Sequence, residues 1–149
     1  MIAKHLEEEC ELPKLEYSIL KTYRLACLLH DVGHTPFSHT FETYFDERKI
    51  REALVNVLAD DDFNSDLKVR DKKLTEHELL SAYVSISLYK DILSDKDINW
   101  PLLVRMIIGL PFHDKNDQRD NSRFENIMID LIHGTIDADG LDYVCRDVW

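Results

Sequence analysis

Leu28-Leu29-His30-Asp31-Val32-Gly33-His34-Thr35-Pro36-Phe37-Ser38-His39 is the stretch on which the reading of this chain turns. An apolar run ends in His-Asp, passes a glycine, and delivers two more histidines by position 39. No other stretch sets three imidazoles and a carboxylate within ten residues. Upstream, Ile19, Leu20, Tyr23, Ala26 and Cys27 recur at helical spacing, so a helix is predicted over residues 14–30. Gly33 and Pro36 forbid its simple continuation. His30 and Asp31 therefore stand at a helix end, where a neighbouring imidazole and carboxylate can reach one cation. That donor pair suits a divalent transition metal or magnesium rather than a thiolate-type zinc site. Two ligands hold a cation weakly, so another carboxylate and another histidine must come from elsewhere in the chain. The acidic candidates are Asp137, Asp139 and Asp142, and the remaining histidines are His5, His34, His39, His77, His113 and His133.

The rest of the chain reads as helical too. Residues 37–45 are expected to form a short helical turn. Residues 48–59 are amphipathic, with Ile50, Ala53, Leu54, Val57 and Leu58 on one face. Residues 60–73 are polar and read as a solvated loop, including the run Asp60-Asp61-Asp62. Thr75 and Glu78 make a capping box, which predicts a helix from Glu76 to about Leu93. Asn99-Trp100-Pro101 opens a further helix that carries Leu102, Leu103, Met106 and Ile107 and ends near Gly109 to Pro111. Residues 113–121 read as a charged loop. Ser122 and Glu125 begin a helix with Ile127, Met128, Leu131 and Ile132 on its apolar face, and Gly134 stops it. Residues 135–149 hold a dense acidic segment and one last helix. With no alternating strand, no repeat and no linker, the expected fold is all-α and a single domain over residues 1–149.

Composition narrows the function. The 149 residues are 44% hydrophobic and 32% charged, which excludes a disordered chain and allows one real core. No apolar run reaches the length of a membrane span, because residues 101–112 are interrupted by Arg105. Residues 1–9 carry one lysine and then three glutamates, and do not read as a secretory signal. Three scattered cysteines build neither a disulfide framework nor a Cys-x-x-Cys clip, which fits a reducing cytoplasm. Lys and Arg number 18 against 29 Asp and Glu, a formal charge of −11, with no basic stripe for nucleic acid. A phosphate substrate would then need positive charge supplied locally, as a bound metal does.

Three motifs, taken together, resemble a known family. They are His30-Asp31-Val32-Gly33-His34-Thr35-Pro36-Phe37-Ser38-His39-Thr40-Phe41-Glu42, then Thr75-Glu76-His77-Glu78, then Ile136-Asp137-Ala138-Asp139-Gly140-Leu141-Asp142-Tyr143-Val144-Cys145-Arg146-Asp147. Their order and spacing are similar to those of the HD-domain metal-dependent phosphohydrolases. The branch resembled contains the deoxynucleotide triphosphohydrolases and the sterile-alpha-motif/HD triphosphohydrolases. The resemblance runs from about Tyr23 to Trp149 and implies an HD-domain helical bundle.

It also implies roles. His30, Asp31 and Asp139 would ligate a divalent ion drawn from Mn, Fe, Ni, Co, Mg and Zn. His34 and His77 would contact phosphate oxygens or move a proton, with His39 and Glu42 as a second acid/base pair. Tyr143 and Asp147 would face a deoxyribose. The implied reaction is hydrolysis of a nucleotide phosphate, most specifically a deoxynucleoside triphosphate, and the family tends to form homo-oligomers.

The chain departs from the family at two places. The family's first metal ligand lies in an upstream Arg-x-x-His-Ser-like motif that has no match here. The upstream histidine present is His5, 25 residues before His30. Gly140 stands where the family commonly has Lys or Arg. These departures lead to the expectation of a partial copy of a larger helical enzyme, with the preceding helix and the C-terminal region cut short. They also keep two alternatives open: a catalytically impaired module that binds nucleotide or regulates, and an HD phosphodiesterase acting on another phosphate ester. His113 and His133 have no motif around them and read as structural.

Overall fold

The computed structural model describes residues 14–34, 45–69, 74–93, 96–113 and 122–134. The described residues are helical and contain no strand, as the all-α reading expects. The helices are α1 (Lys14–Leu29), α2 (Glu47–Leu58), α3 (Asp61–Val69), α4 (Glu76–Val84), α5 (Lys90–Leu93), α6 (Trp100–Ile108) and α7 (Ser122–His133). A π-helical turn, Ser85–Tyr89, joins α4 to α5. The helical turn expected over residues 37–45 lies outside the described residues except for Phe45. The helices expected before Pro13 and after Gly134 lie outside them entirely.

The bundle is built around α6. Asn99 caps it, its Oδ1 accepting from Leu102 N at 3.1 Å, and Pro101 occupies the first turn, where its missing N–H costs nothing. Gly109 ends it in the left-handed region at φ +59°. Every residue from Leu102 to Ile108 is buried. A helix apolar on all sides must be covered on all sides, and α1, α4 and α7 pack against it. α2 packs against α4. Thr22 and Ser18 tie α1 to the entry of α6: Thr22 Oγ1 accepts from Asn99 N at 3.0 Å, and Ser18 Oγ donates to Asp97 O at 2.6 Å.

Two expectations change. Residues 61–69 form α3 rather than a loop. Asp60 belongs to that helix start, because its Oδ1 accepts from Phe63 N at 2.7 Å. Phe63 and Leu67, one turn apart, are buried and supply the apolar stripe that an acidic sequence hid. The second change is the helix predicted to run unbroken from Glu76 to Leu93, which widens into the π-turn at Ser85.

Arg105, which interrupts the apolar run of α6, is itself core. Its side chain is 1% exposed and pairs with Asp66 of α3, 10% exposed, at 2.8 Å. Its Nη1 donates to Pro111 O at 3.3 Å, and its guanidinium lies 4.0 Å from the Phe112 ring centre. One buried cation thus joins α3, α6 and the segment after α6. Asn126 of α7 holds that segment as well, accepting from Phe112 N at 2.8 Å and donating to Phe112 O at 3.2 Å.

Candidate metal centre

α1 ends at Leu29, and the chain turns immediately. Val32 N donates to Leu29 O at 3.2 Å, and His34 N donates to Asp31 O at 3.0 Å. These bonds wrap residues 30–34 into a compact turn. The His30 ring folds back over the helix end, its Nδ1 2.9 Å from Cys27 O. A carbonyl only accepts, so Nδ1 carries a proton, leaving Nε2 as the nitrogen available to a cation. That Nε2 lies 3.3 Å from Asp31 Oδ2. A ring nitrogen oriented by a backbone carbonyl, beside a carboxylate, is how metal-ligating histidines are commonly held. Adjacent ligands of a cation with bonds of about 2.1 Å stand roughly 3 Å apart. The His30–Asp31 spacing fits that requirement.

The turn is pressed onto α4. Gly33 N donates to the buried Ser81 Oγ at 2.9 Å. A Cβ at position 33 would lie 2.7 Å from Leu80 C and 2.8 Å from Ser81 Oγ. Only glycine allows this approach, and the reason is space rather than backbone angle. His77 stands one turn before Ser81 on the same helix, so the contact that seats Gly33 also brings His34 to His77. The two imidazoles stack at 4.2 Å between ring centres and 15° between planes.

Asp31 serves both sides of the turn. Its Oδ2 faces His30, and its Oδ1 lies 3.5 Å from His34 Nε2. Asp31, His34 and His77 each offer one ligand atom, all within 4.8 Å of one another. Asp31 is 52% exposed at its side chain, so the cluster opens to solvent. The donors are imidazole and carboxylate, with no thiolate in the group. That set fits a divalent cation of the Mn, Fe, Co, Ni, Zn or Mg kind. Asp31, His34 and His77 are the residues whose ligand atoms lie close enough together to hold one ion, and His30 stands next to Asp31.

Of the residues singled out from sequence, His30, Asp31, His34 and His77 come together here. His5, His39, Glu42, Asp139, Gly140, Tyr143 and Asp147 lie outside the described residues. Sequence reading missed Ser81, although a small polar residue one turn after a candidate histidine on the same helix face is a usable signal. His133, read as structural, packs its ring between the end of α6 and the start of α4.

A helical bundle that collects imidazole and carboxylate donors at the end of one helix and the start of another is the architecture of a divalent-metal site. Residues 2–101 match the HD domain family, and the chain belongs to it. The HD domain points to the metal-dependent phosphohydrolase superfamily and to divalent metal binding. The chain is 32% identical over 127 residues to an uncharacterized protein of Mycoplasma pneumoniae, covering 85% of this chain and 24% of that protein. It is 32% identical over 131 residues to an uncharacterized protein of Mycoplasma genitalium, covering 87% of this chain and 24% of that protein. The chain thus spans about a quarter of the length of the curated relatives it matches. No solved structure matches it. Among the described residues, no helix is long and apolar enough to cross a membrane.

Proposed function

We infer that this HD domain hydrolyses a phosphate bond of a nucleotide, with a deoxynucleoside triphosphate as the favoured substrate. The observation that carries the reading is the convergence at Asp31: its two oxygens face His30 and His34 at 3.3 and 3.5 Å, and His34 stacks on His77 from a separate helix. When bound, a divalent cation would lower the pKa of its water and offset phosphate charge. His30, Asp31 and Asp139 would hold it. His34 and His77 stack on one another beside Asp31 and are the groups suited to donate to, or take a proton from, phosphate and leaving oxygens. His39 and Glu42 would serve as a second acid/base pair, and Tyr143 and Asp147 would contact the sugar. The triphosphate specificity and assembly into homo-oligomers rest on the family resemblance of the three sequence motifs, and a cytoplasmic setting rests on the three scattered cysteines.

The test compares the chain with Asp31→Ala. Metal content is measured after loading with manganese or magnesium, and hydrolysis is followed on a panel of deoxynucleotides and other phosphate esters. The expected result is loss of both bound metal and turnover in the variant, with triphosphates cleaved best by the unaltered chain. Equal metal content and equal turnover in the two would refute the reading.

A further inference from the structure

His133 closes α7, and its ring reaches two other helices. Nε2 lies 2.8 Å from Met106 O, in the last turn of α6, so it carries the proton and donates to a carbonyl that has no partner within its own helix. Nδ1 lies 3.5 Å from Glu78 Oε1, in the first turn of α4. Both side chains are largely covered, 23% and 21% exposed. The ring fits because residue 109 is glycine: a Cβ there would lie 2.9 Å from His133 Cγ and Cδ2. The end of α6 is therefore shaped around this imidazole.

Glu78 passes the contact on. Its Oε1 faces His133, while its Oε2 accepts from Thr75 N at 3.1 Å. Thr75 Oγ1 in turn accepts from Glu78 N at 3.4 Å and stands 3.4 Å from His77 Nε2. The His77 ring then stacks on His34. A continuous run of polar contacts leads from the end of α7 to the candidate metal centre.

The geometry points to His133 as a positioning residue for His77: through Glu78 and Thr75 it sets the first turn of α4, and with it the stack of His77 on His34. His133 touches neither the proposed metal nor the substrate. This inference rests on the reading of His77 as an acid/base group of the site. Its immediate consequence, the placement of the His77 ring, can be read without activity.

The experiment uses the full chain and the variants His133→Ala, His133→Asn, His133→Gln and Glu78→Gln. Two readouts are taken. The first is the Cε1–H signal of His77 in the metal-free chain, assigned by its loss in His77→Ala, with the exposed His113 as internal control. The second is kcat and KM for the best substrate in manganese. Asparagine can place an amide near the Nδ1 position, toward Glu78, whereas glutamine can place one near Nε2, toward Met106.

His133→Ala and Glu78→Gln should shift the His77 signal, leave that of His113 in place, and lower kcat about tenfold with KM little changed, the usual scale for a group that orients a ligand. His133→Asn should restore most of the loss, and His133→Gln should not. Combining His133→Ala with Glu78→Gln should cost no more than the worse single change, because both break the same connection. Unmoved His77 signals and unchanged kcat in folded His133→Ala and Glu78→Gln would overturn the inference. So would equal recovery by Asn and Gln, which is what a purely packing role predicts. Should His133→Ala fail to fold, Glu78→Gln and the Asn/Gln pair decide by the same criteria. If the unaltered chain hydrolyses nothing, the phosphohydrolase reading falls, and the His77 signal still decides whether His133 positions that ring.

Discussion

Gly33→Ala puts the seating of the metal turn to the test. The added methyl would overlap Ser81 N and lie 2.7 Å from Leu80 C, whereas ordinary contact begins at 3.4 Å, so the turn must retreat from α4 by more than about 0.7 Å. The opposing atoms are helix backbone and cannot swing aside. Overpacking of this kind costs about 1–3 kcal/mol. The retreat also stretches the buried bond from Gly33 N to Ser81 Oγ, now 2.9 Å, and an unsatisfied buried donor costs about 1–3 kcal/mol. A total of about 2–6 kcal/mol lowers the melting temperature by about 4–24 °C, at roughly 2–4 °C per kcal/mol for a chain of this size. Because the same retreat separates His34 from His77, manganese affinity or turnover should fall by about 10–100-fold. Calorimetry gives the first number, and titration calorimetry with manganese gives the second. Ser81→Ala separates the two causes, since it removes the hydrogen-bond acceptor without adding bulk and should show the smaller loss of affinity. A Gly33→Ala protein that melts with the unaltered chain and binds manganese equally well would refute the reasoning.

Two further predictions concern the scaffold. Arg105→Met strands Asp66 without its cation in a buried setting, a loss of about 3–5 kcal/mol, while Arg105→Met with Asp66→Leu should recover most of it, and thermal melts of the two variants check both values. Ala59 ends α2 at φ +50°, a region that favours glycine, so Ala59→Gly should raise stability by about 0.5–1 kcal/mol, seen as a higher urea midpoint.

The helices with a plain apolar period or a cap were legible from sequence. The Thr75–Glu78 box and the Asn99-Trp100-Pro101 entry are local signals, written within four residues and independent of the rest of the fold. α3 was not legible, because its acidic start reads as solvated chain and its two buried anchors, Phe63 and Leu67, are too few to register as a period. The π-turn at Ser85 leaves no mark that composition or spacing records. In the site, His30, Asp31 and His34 are neighbours in the chain and announce one another. His77 was readable only through the family's motif order, since a histidine after a capping threonine is by itself unremarkable. Arg105 looked like an interruption because a charge in an apolar run is judged alone, whereas its fitness depends on Asp66, 39 positions away. His133 depends likewise on Glu78 and on the bare glycine at 109, three places that only folding brings together.

The end of α1 has one more consequence. An aligned helix carries roughly half a unit of negative charge at its C-terminus, and the last turn of α1 contains no basic residue to cancel it. Asp31 adds a carboxylate at that same pole, in a chain whose formal charge is −11. The field at the opening therefore draws cations and turns polyanions away. On the proposed reading this imposes an order of arrival: the metal binds first, the local sign reverses, and only then does a nucleotide phosphate find the opening attractive.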